Sequence, residues 1–188
     1  RYYSLECLNN LLSSHGFKIF NAKLINTHGG SIRVFASRSH NYNVSESFNQ
    51  ILENEQKFLY KQNNLFSYKV QVQEQKSDLL KKLIELKNNN KTVFGIGAPS
   101  RGTTLINYCG IDESLVSYIC EIKGSHKIGK YLPGTSIPVL DESILFKEQP
   151  DFVLLLSWHI AKELIHNLKK KGLRSKFIIP LPKVKVID

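Results

Sequence analysis

Two short apolar segments in the second half of the chain constrain its fold more than any other feature. Residues 151–158 (DFVLLLSW) form one continuous apolar run, and residues 91–97 (KTVFGIG) form another that ends in glycines. Runs of this kind are typical of parallel strands that are covered on both faces. Because helical patterns follow them, we predict an α/β fold with a Rossmann-like, doubly wound, mostly parallel sheet over residues 91–188. Its strands are predicted over residues 91–97, 115–121, 151–158 and 176–182, and its helices over 100–108 and 160–171.

The first half of the chain has a different pattern. Residues 4–15 place leucines at helical spacing, and residues 17–25 and 31–37 alternate as two strands joined by a glycine turn. Residues 44–90 are mostly helical in pattern. One helix and one hairpin bury too little surface to fold alone, so we expect this unit to be the end of a larger sheet. The chain starts at Arg1 and contains no methionine, which leads us to expect a piece of a longer protein.

The chain is basic, with 26 Lys and Arg residues against 16 Asp and Glu residues and a net charge of +10. The excess is shared evenly between the two halves, and no basic arm or zinc-finger spacing accompanies it, so nucleic-acid binding is disfavoured. A phosphorylated small molecule can be bound with far fewer basic residues than a nucleic acid, and it is the favoured ligand class. No apolar run approaches the ~20 residues of a membrane span, so no membrane partner is predicted. The oligomeric state stays open and includes a homo-oligomer.

The three cysteines, Cys7, Cys109 and Cys120, are scattered along the chain. They form no C-x-x-C pair and have no histidine at metal-ligand spacing, so we predict neither a metal site nor a disulfide framework. A reducing cytoplasmic location is the expectation.

The sharpest local feature is a glycine-rich turn over residues 95–102 (GIGAPSRG). Such a turn between a strand and a helix lets the backbone approach a phosphate, and Arg101 would add a planar cation for the phosphate oxygens. The spacing is G-x-G-x4-G rather than the dinucleotide G-x-G-x-x-G. Two interpretations stay open: an anion-binding turn with an open crevice in front of it, or a tight strand–helix connection.

Other candidate residues follow the neighbouring strands. Glu121 ends the second predicted strand, where a carboxylate either accepts ribose hydroxyls or is simply solvated. The loop over residues 123–138 lies at the same carboxyl edge of the sheet and includes the donors Lys127, Lys130 and Tyr131. Trp158 and His159 end a strand at that edge too, so Trp158 is either core or packs on a sugar or base. His28 lies in a glycine turn and is either a base near pH 7 or a surface residue.

Four ordered strings together resemble one family: HGGSIRVFAS, GIGAPSRGTTLINYCGI, HKIGKYLPGTSIPV and FIIPLP. They are similar to S-adenosylmethionine-dependent C-methyltransferases that act on nucleotide-linked deoxysugars. Members of that family have an N-terminal zinc-binding module, a central class I methyltransferase domain and a C-terminal Rossmann-like domain. The resemblance implies that residues 1–40 end the methyltransferase domain, residues 41–90 form a helical connector and residues 91–188 form the C-terminal domain. Thr103 stands where the family typically has Asn, and Ser136 where it often has His.

The resemblance also implies a function. A sugar 4-keto group acidifies the neighbouring hydrogen, a base removes it, and the enolate attacks the donor's methyl group. S-adenosylmethionine and zinc would both be bound upstream of this chain. The chain itself would help to hold a nucleotide-diphosphate sugar and would be inactive alone. The catalytic candidates are Tyr2, Tyr3 and His28. The substrate-binding candidates are Gly95, Gly97, Ser100, Arg101, Gly102, Thr103, Asn107, Glu121, Lys127, Tyr131, Pro133, Gly134, Thr135 and Trp158. A non-catalytic nucleotide-binding or scaffolding domain of the same fold is the alternative.

Overall fold

The chain divides into two compact units. The computed structural model describes residues 2–27, 29–39, 41–59 and 61–188. The first unit comprises residues 1–70 and the second comprises residues 71–188. Across the described residues, no helix combines the length and the apolar character that a membrane crossing requires.

The first unit packs two helices on a β-hairpin. Its core contains Leu5, Ile19, Ala22 and Phe48, so helix, hairpin and second helix each contribute an apolar face. Ser4 accepts a hydrogen bond from the N–H of Cys7, at 3.1 Å, and thereby caps the first helix. The two strands are antiparallel to each other. The elements are α1 (Leu5–Ser14), β1 (Lys18–Ile25), β2 (Ser31–Ser37) and α2 (Glu46–Leu59), followed by α3 (Gln62–Asn88), which continues into the second unit.

The second unit is an α/β domain with a six-stranded sheet in the order β5-β4-β3-β6-β7-β8. All neighbouring strands are parallel except β7 and β8, which are antiparallel. The predicted Rossmann-like α/β fold is therefore confirmed. Its elements are β3 (Val93–Ile96), α4 (Ser100–Cys109), β4 (Ile119–Glu121), β5 (Val139–Asp141), α5 (Ser143–Glu148), β6 (Phe152–Leu155), a 3₁₀ helix (Trp158–Ile160), α6 (Ala161–Lys170), β7 (Lys176–Ile179) and β8 (Lys185–Ile187).

Both faces of this sheet are buried, which explains the continuous apolar runs of its strands. Along β6, Leu154 packs into the core on one face of the sheet, whereas Val153 and Leu155 pack into the core on the other. The first core includes Leu83 of α3, and the second includes Leu168 of α6. Successive side chains of a strand point to opposite faces, so a strand covered on both sides needs apolar residues at every position.

The order of the strands identifies the edge of the sheet at which a ligand can bind. From β3 the chain moves outward through β4 to β5, and then returns to the other side of β3 with β6. Open α/β sheets bind ligands outside the carboxyl ends of the strands at such a reversal. The turn between β3 and α4 lies at this position, with the loop after β4 on one side and the residues after β6 on the other.

Several predicted strand boundaries were wrong. Residues 115–118 are not part of a strand, and the N–H groups of Leu115 and Val116 return to the carbonyl of Asp112 in a turn. The strand predicted over residues 151–158 ends at Leu155, and Trp158 begins a 3₁₀ helix instead of closing a strand. The last predicted strand stops before Pro180, which has no N–H for a sheet hydrogen bond. Strands β5 and β8 and helix α5 were not predicted.

Candidate functional site

The turn between β3 and α4 is shaped by Gly97. Its φ of 81° lies in the left-handed region, which favours glycine, and its N–H donates to the carbonyl of Cys120 at 2.8 Å. A Cβ here would lie 2.9 Å from Oγ of Ser157. Helix α4 begins at Ser100, and Pro99, in the cap position, offers no side-chain acceptor to the first turn.

The other two glycines of the motif serve packing. A Cβ on Gly95 would lie 2.5 Å from Cδ1 of Ile119, and one on Gly102 would lie 2.8 Å from Cβ of Leu156. Both glycines are buried, and neither lines the cleft in front of the turn. They therefore let the sheet and α4 pack closely.

An open cleft of about 520 Å³ lies in front of the turn. The crevice that an anion-binding turn requires is thus present, between the start of α4 and the loop over residues 123–138. Its lining includes the cationic side chains of Lys127 and Lys130 and the imidazole of His126. Ser100, Thr103 and Tyr131 contribute hydroxyl groups. The full lining is Ala98, Pro99, Ser100, Thr103, His126, Lys127, Lys130, Tyr131, Leu132, Pro133 and Val139.

Glu121 lies behind the cleft wall. Its Oε1 accepts hydrogen bonds from the N–H of Ala98 at 2.5 Å and from Nζ of Lys127 at 3.3 Å. The same ammonium group donates to the carbonyl of Ala98 at 2.8 Å. The side chain of Glu121 is only 12% exposed, so it is not the solvated strand end that the sequence left open. It does not line the cleft either.

The far wall of the cleft is fixed by contacts of Asn107. Its Nδ2 donates to the carbonyls of Thr103 and Pro133, both at 2.9 Å. Gly134 has a φ of 80° and lies so close to Asn107 that a Cβ would be 2.2 Å from its Oδ1. Thr135 shapes the same turn, because its hydroxyl donates to the carbonyl of Leu132 at 2.9 Å. These residues support the wall that contains Pro133.

Arg101 and Trp158 lie together, away from the lining of this cleft. The guanidinium carbon of Arg101 is 5.9 Å from the centre of the Trp158 ring, and Nη2 is 3.3 Å from Nδ1 of His159. Trp158 and His159 follow β6, whereas Lys127 follows β4. The candidate binding residues therefore form two groups that flank the turn after β3.

The catalytic candidates belong to the first unit. Tyr2 and Tyr3 line a separate cleft of about 540 Å³, whose other walls include Leu24 and Phe58. The carboxylate of Glu55 accepts hydrogen bonds at 2.8 Å from the N–H of Leu5, at the start of α1. Tyr2 is 91% exposed. His28 lies outside the described residues.

The buried cysteines are poor nucleophiles. Burial raises the pKa of the Cys120 thiol to about 12, with nearby carboxylates adding to the effect, and burial also raises the pKa of Cys109. Cys7 is exposed. Within the described part of the chain, no three His, Cys, Asp or Glu side chains come together as a metal site would require.

Two features of the cleft were not foreseen from the sequence. His126 lines it beside Lys127, and the backbone of Ala98 is joined to Glu121. The position of His126 in the loop after β4 was a usable signal, because that loop lies at the carboxyl edge of the sheet.

Comparisons with known proteins give consistent results. A family model described as the C-methyltransferase C-terminal domain matches residues 26–182. The chain is also similar to C-methyltransferase NovU of Streptomyces niveus, with 31% identity over 196 aligned residues. This alignment covers 100% of the chain and 45% of NovU, so the chain spans less than half the length of that relative.

Proposed function

Because the chain belongs to the family of the C-methyltransferase C-terminal domain, we propose that it holds the substrate of a C-methyltransferase that acts on a nucleotide-linked keto-deoxysugar. The cleft before the β3–α4 turn would bind the diphosphate of this substrate. The neighbouring Arg101 and Trp158 would extend the site across the carboxyl edge of the sheet, toward the sugar or the base.

The observation that supports this proposal most is the chemistry of the cleft lining. Lys127 and Lys130 supply ammonium donors, and Ser100 and Thr103 supply hydroxyl donors. Cations and hydroxyl groups that converge beside a helix N-terminus suit the oxygen atoms of a diphosphate. Among the described residues, the lining of the cleft contains no carboxylate, and Glu121, which lies next to it, is already bonded to Ala98 and Lys127.

The same lining does not fit S-adenosylmethionine, the methyl donor that methyltransferase families generally use. Its sulfonium group is a cation, and the ammonium groups of Lys127 and Lys130 would repel it. We therefore propose that the donor is bound by residues outside this chain, and that the chain alone does not transfer methyl groups. In that arrangement the function of this chain is to bind and orient the nucleotide-sugar.

Further parts of the proposal rest on the resemblance. Residues 1–40 would end the methyltransferase domain, residues 41–90 would connect it, and residues 91–188 would form the C-terminal domain. Tyr2, Tyr3 and His28 would then be the catalytic candidates that this chain contributes. The zinc-binding module would lie upstream, and the protein would work in the cytoplasm.

Isothermal titration of the 188-residue chain tests the ligand class. We expect binding of a nucleoside-diphosphate sugar, such as a dTDP-linked or UDP-linked keto-deoxysugar, and no tight binding of S-adenosylmethionine. Tight binding of S-adenosylmethionine would contradict the assignment of the donor to residues outside the chain. Absence of nucleotide-sugar binding would contradict the role of the cleft.

Assay of the full-length protein separates catalysis from a non-catalytic nucleotide-binding or scaffolding role. Transfer of one methyl group to a carbon atom of the keto-sugar is expected. A full-length protein that binds the nucleotide-sugar and the donor but transfers no methyl group would support the non-catalytic role.

A further inference from the structure

Three groups from separate segments of the chain meet beside the cleft. Oε1 of Glu121 receives the N–H of Ala98 at 2.5 Å and Nζ of Lys127 at 3.3 Å, and Nζ of Lys127 also donates to the carbonyl of Ala98 at 2.8 Å. Ala98 belongs to the turn after β3, Glu121 ends β4, and Lys127 belongs to the following loop. The contacts therefore tie three separate segments together at the carboxyl edge of the sheet.

This network fixes the ammonium group of Lys127 beside the cleft. Lysine has a long side chain that loses much rotational freedom when a ligand immobilises it. Here Glu121 and Ala98 already use two of its three N–H donors, which leaves one for a ligand. Lys127 lines the cleft, whereas Glu121 does not.

We infer that Glu121 is a positioning residue, which strengthens the binding of a diphosphate in the cleft by holding Lys127 and does not touch the ligand itself. The inference rests on the proposed function, because it assumes that the cleft binds a diphosphate. This role differs from the direct contact with a ribose that the sequence suggested for Glu121. The carboxylate is bonded to Ala98 and Lys127 and does not line the cleft.

The sign of the effect distinguishes positioning from simple electrostatics. As a charge alone, Glu121 repels a bound diphosphate, so its neutralisation should strengthen binding. As a positioning residue, it lowers the cost of ordering Lys127, so its neutralisation should weaken binding although the net charge of the chain becomes more positive. Glu121→Gln keeps an oxygen that can accept the N–H of Ala98. Glu121→Asp keeps the negative charge but shortens the side chain, so that the carboxylate lies farther from Nζ of Lys127.

Titration calorimetry with inorganic pyrophosphate, UDP and uridine tests the inference on the 188-residue chain. We expect Lys127→Met to weaken pyrophosphate binding about tenfold, as the loss of a charge-assisted hydrogen bond should. Glu121→Gln and Glu121→Asp should each weaken it about threefold to tenfold. In the Lys127→Met background, Glu121→Asp should have no further effect and Glu121→Gln should not weaken binding further, because Glu121 favours binding only through Lys127. Lys147→Met is the matched control, since Lys147 is an exposed lysine outside the cleft lining.

Thermal unfolding of each variant shows whether the compared proteins are folded. If Glu121→Gln does not fold, Glu121→Asp tests the inference in its place. Stronger pyrophosphate binding by Glu121→Gln would overturn the inference in favour of a charge effect. Weaker binding of UDP and uridine with unchanged pyrophosphate binding would overturn it in favour of a direct ribose contact. If the wild-type chain binds neither pyrophosphate nor UDP, the proposed function of the cleft fails and the inference fails with it. If only the changes at Glu121 are without effect, the inference alone fails.

Discussion

Substitution of Gly134 by alanine tests how the far wall of the cleft is built. Gly134 has a φ of 80°, and a Cβ at this position would lie 2.2 Å from Oδ1 of Asn107. The Asn107 side chain would have to rotate away and would lose its hydrogen bonds to the carbonyls of Thr103 and Pro133. Gly134→Ala should therefore both strain the backbone and release the wall that contains Pro133.

The expected cost is the sum of two effects. Left-handed backbone costs a non-glycine residue about 1–2 kcal/mol. The two hydrogen bonds of the exposed Asn107 side chain together contribute about 1 kcal/mol, at the low end of the usual range. Gly134→Ala should thus lower the free energy of unfolding by about 2–3 kcal/mol, measured by urea denaturation.

Gly129 provides a matched control in the same loop. Its φ is also 80°, but a Cβ there would meet nothing within 4 Å, so Gly129→Ala should show the backbone cost alone. Gly134→Ala in the Asn107→Ala background should likewise cost only about 1–2 kcal/mol, because the clash has been removed. Equal losses for Gly134→Ala and Gly129→Ala would refute the argument that Asn107 and Gly134 are fitted to each other.

Three further predictions concern other contacts. Glu55→Ala should lower the free energy of unfolding by about 1–2 kcal/mol, because its carboxylate caps the N–H of Leu5 at the start of α1; a denaturation midpoint equal to that of the wild type would contradict this. The N–H of Thr92 and the ammonium of Lys91 lower the pKa of Asp151. Its stabilising effect is therefore present above the ordinary Asp pKa of about 3.9 and is lost as pH falls through the lower folded value, so Asp151→Asn should flatten the acid-side decline of stability. Arg101→Ala should weaken binding of a nucleoside-diphosphate sugar by about 1–3 kcal/mol, and an unchanged dissociation constant would confine the phosphates to the Lys127 side of the turn.

The core of the sheet could be predicted because its strands are buried on both faces. Strands β3, β6 and β7 are short apolar runs, which are typical of buried parallel strands. Their predicted ends lie within a few residues of the observed ones. Strands β5 and β8 are three residues long and lie at the edges of the sheet, where the sequence has no distinctive pattern. The error at residues 115 and 116 has a local cause, because the backbone turn at Asp112 overrides an apolar sequence of strand type.

The candidate site could be predicted only in part. Its location followed from the topology, since loops that follow parallel strands meet at one edge of the sheet, and this brought Lys127 and Tyr131 to the cleft as expected. The partners of Glu121 could not be foreseen. The contact of Glu121 with Ala98 joins residues 23 positions apart and depends on side-chain orientations that composition and spacing do not specify.

The glycine-rich turn shows why spacing alone is weak evidence for a phosphate site. Gly95 and Gly102 are required by the close approach of Ile119 and Leu156, and Gly97 by a positive φ, so all three would be needed if no ligand ever bound. The case for an anion therefore depends on what surrounds the turn. An open cleft lies before it, ammonium groups line that cleft, and the largely buried carboxylate of Glu121 is bonded to one of them. The close packing of Gly95 and Gly102 explains neither the cleft nor its ammonium groups, and the roles of Lys127 and Glu121 can each be tested by substitution.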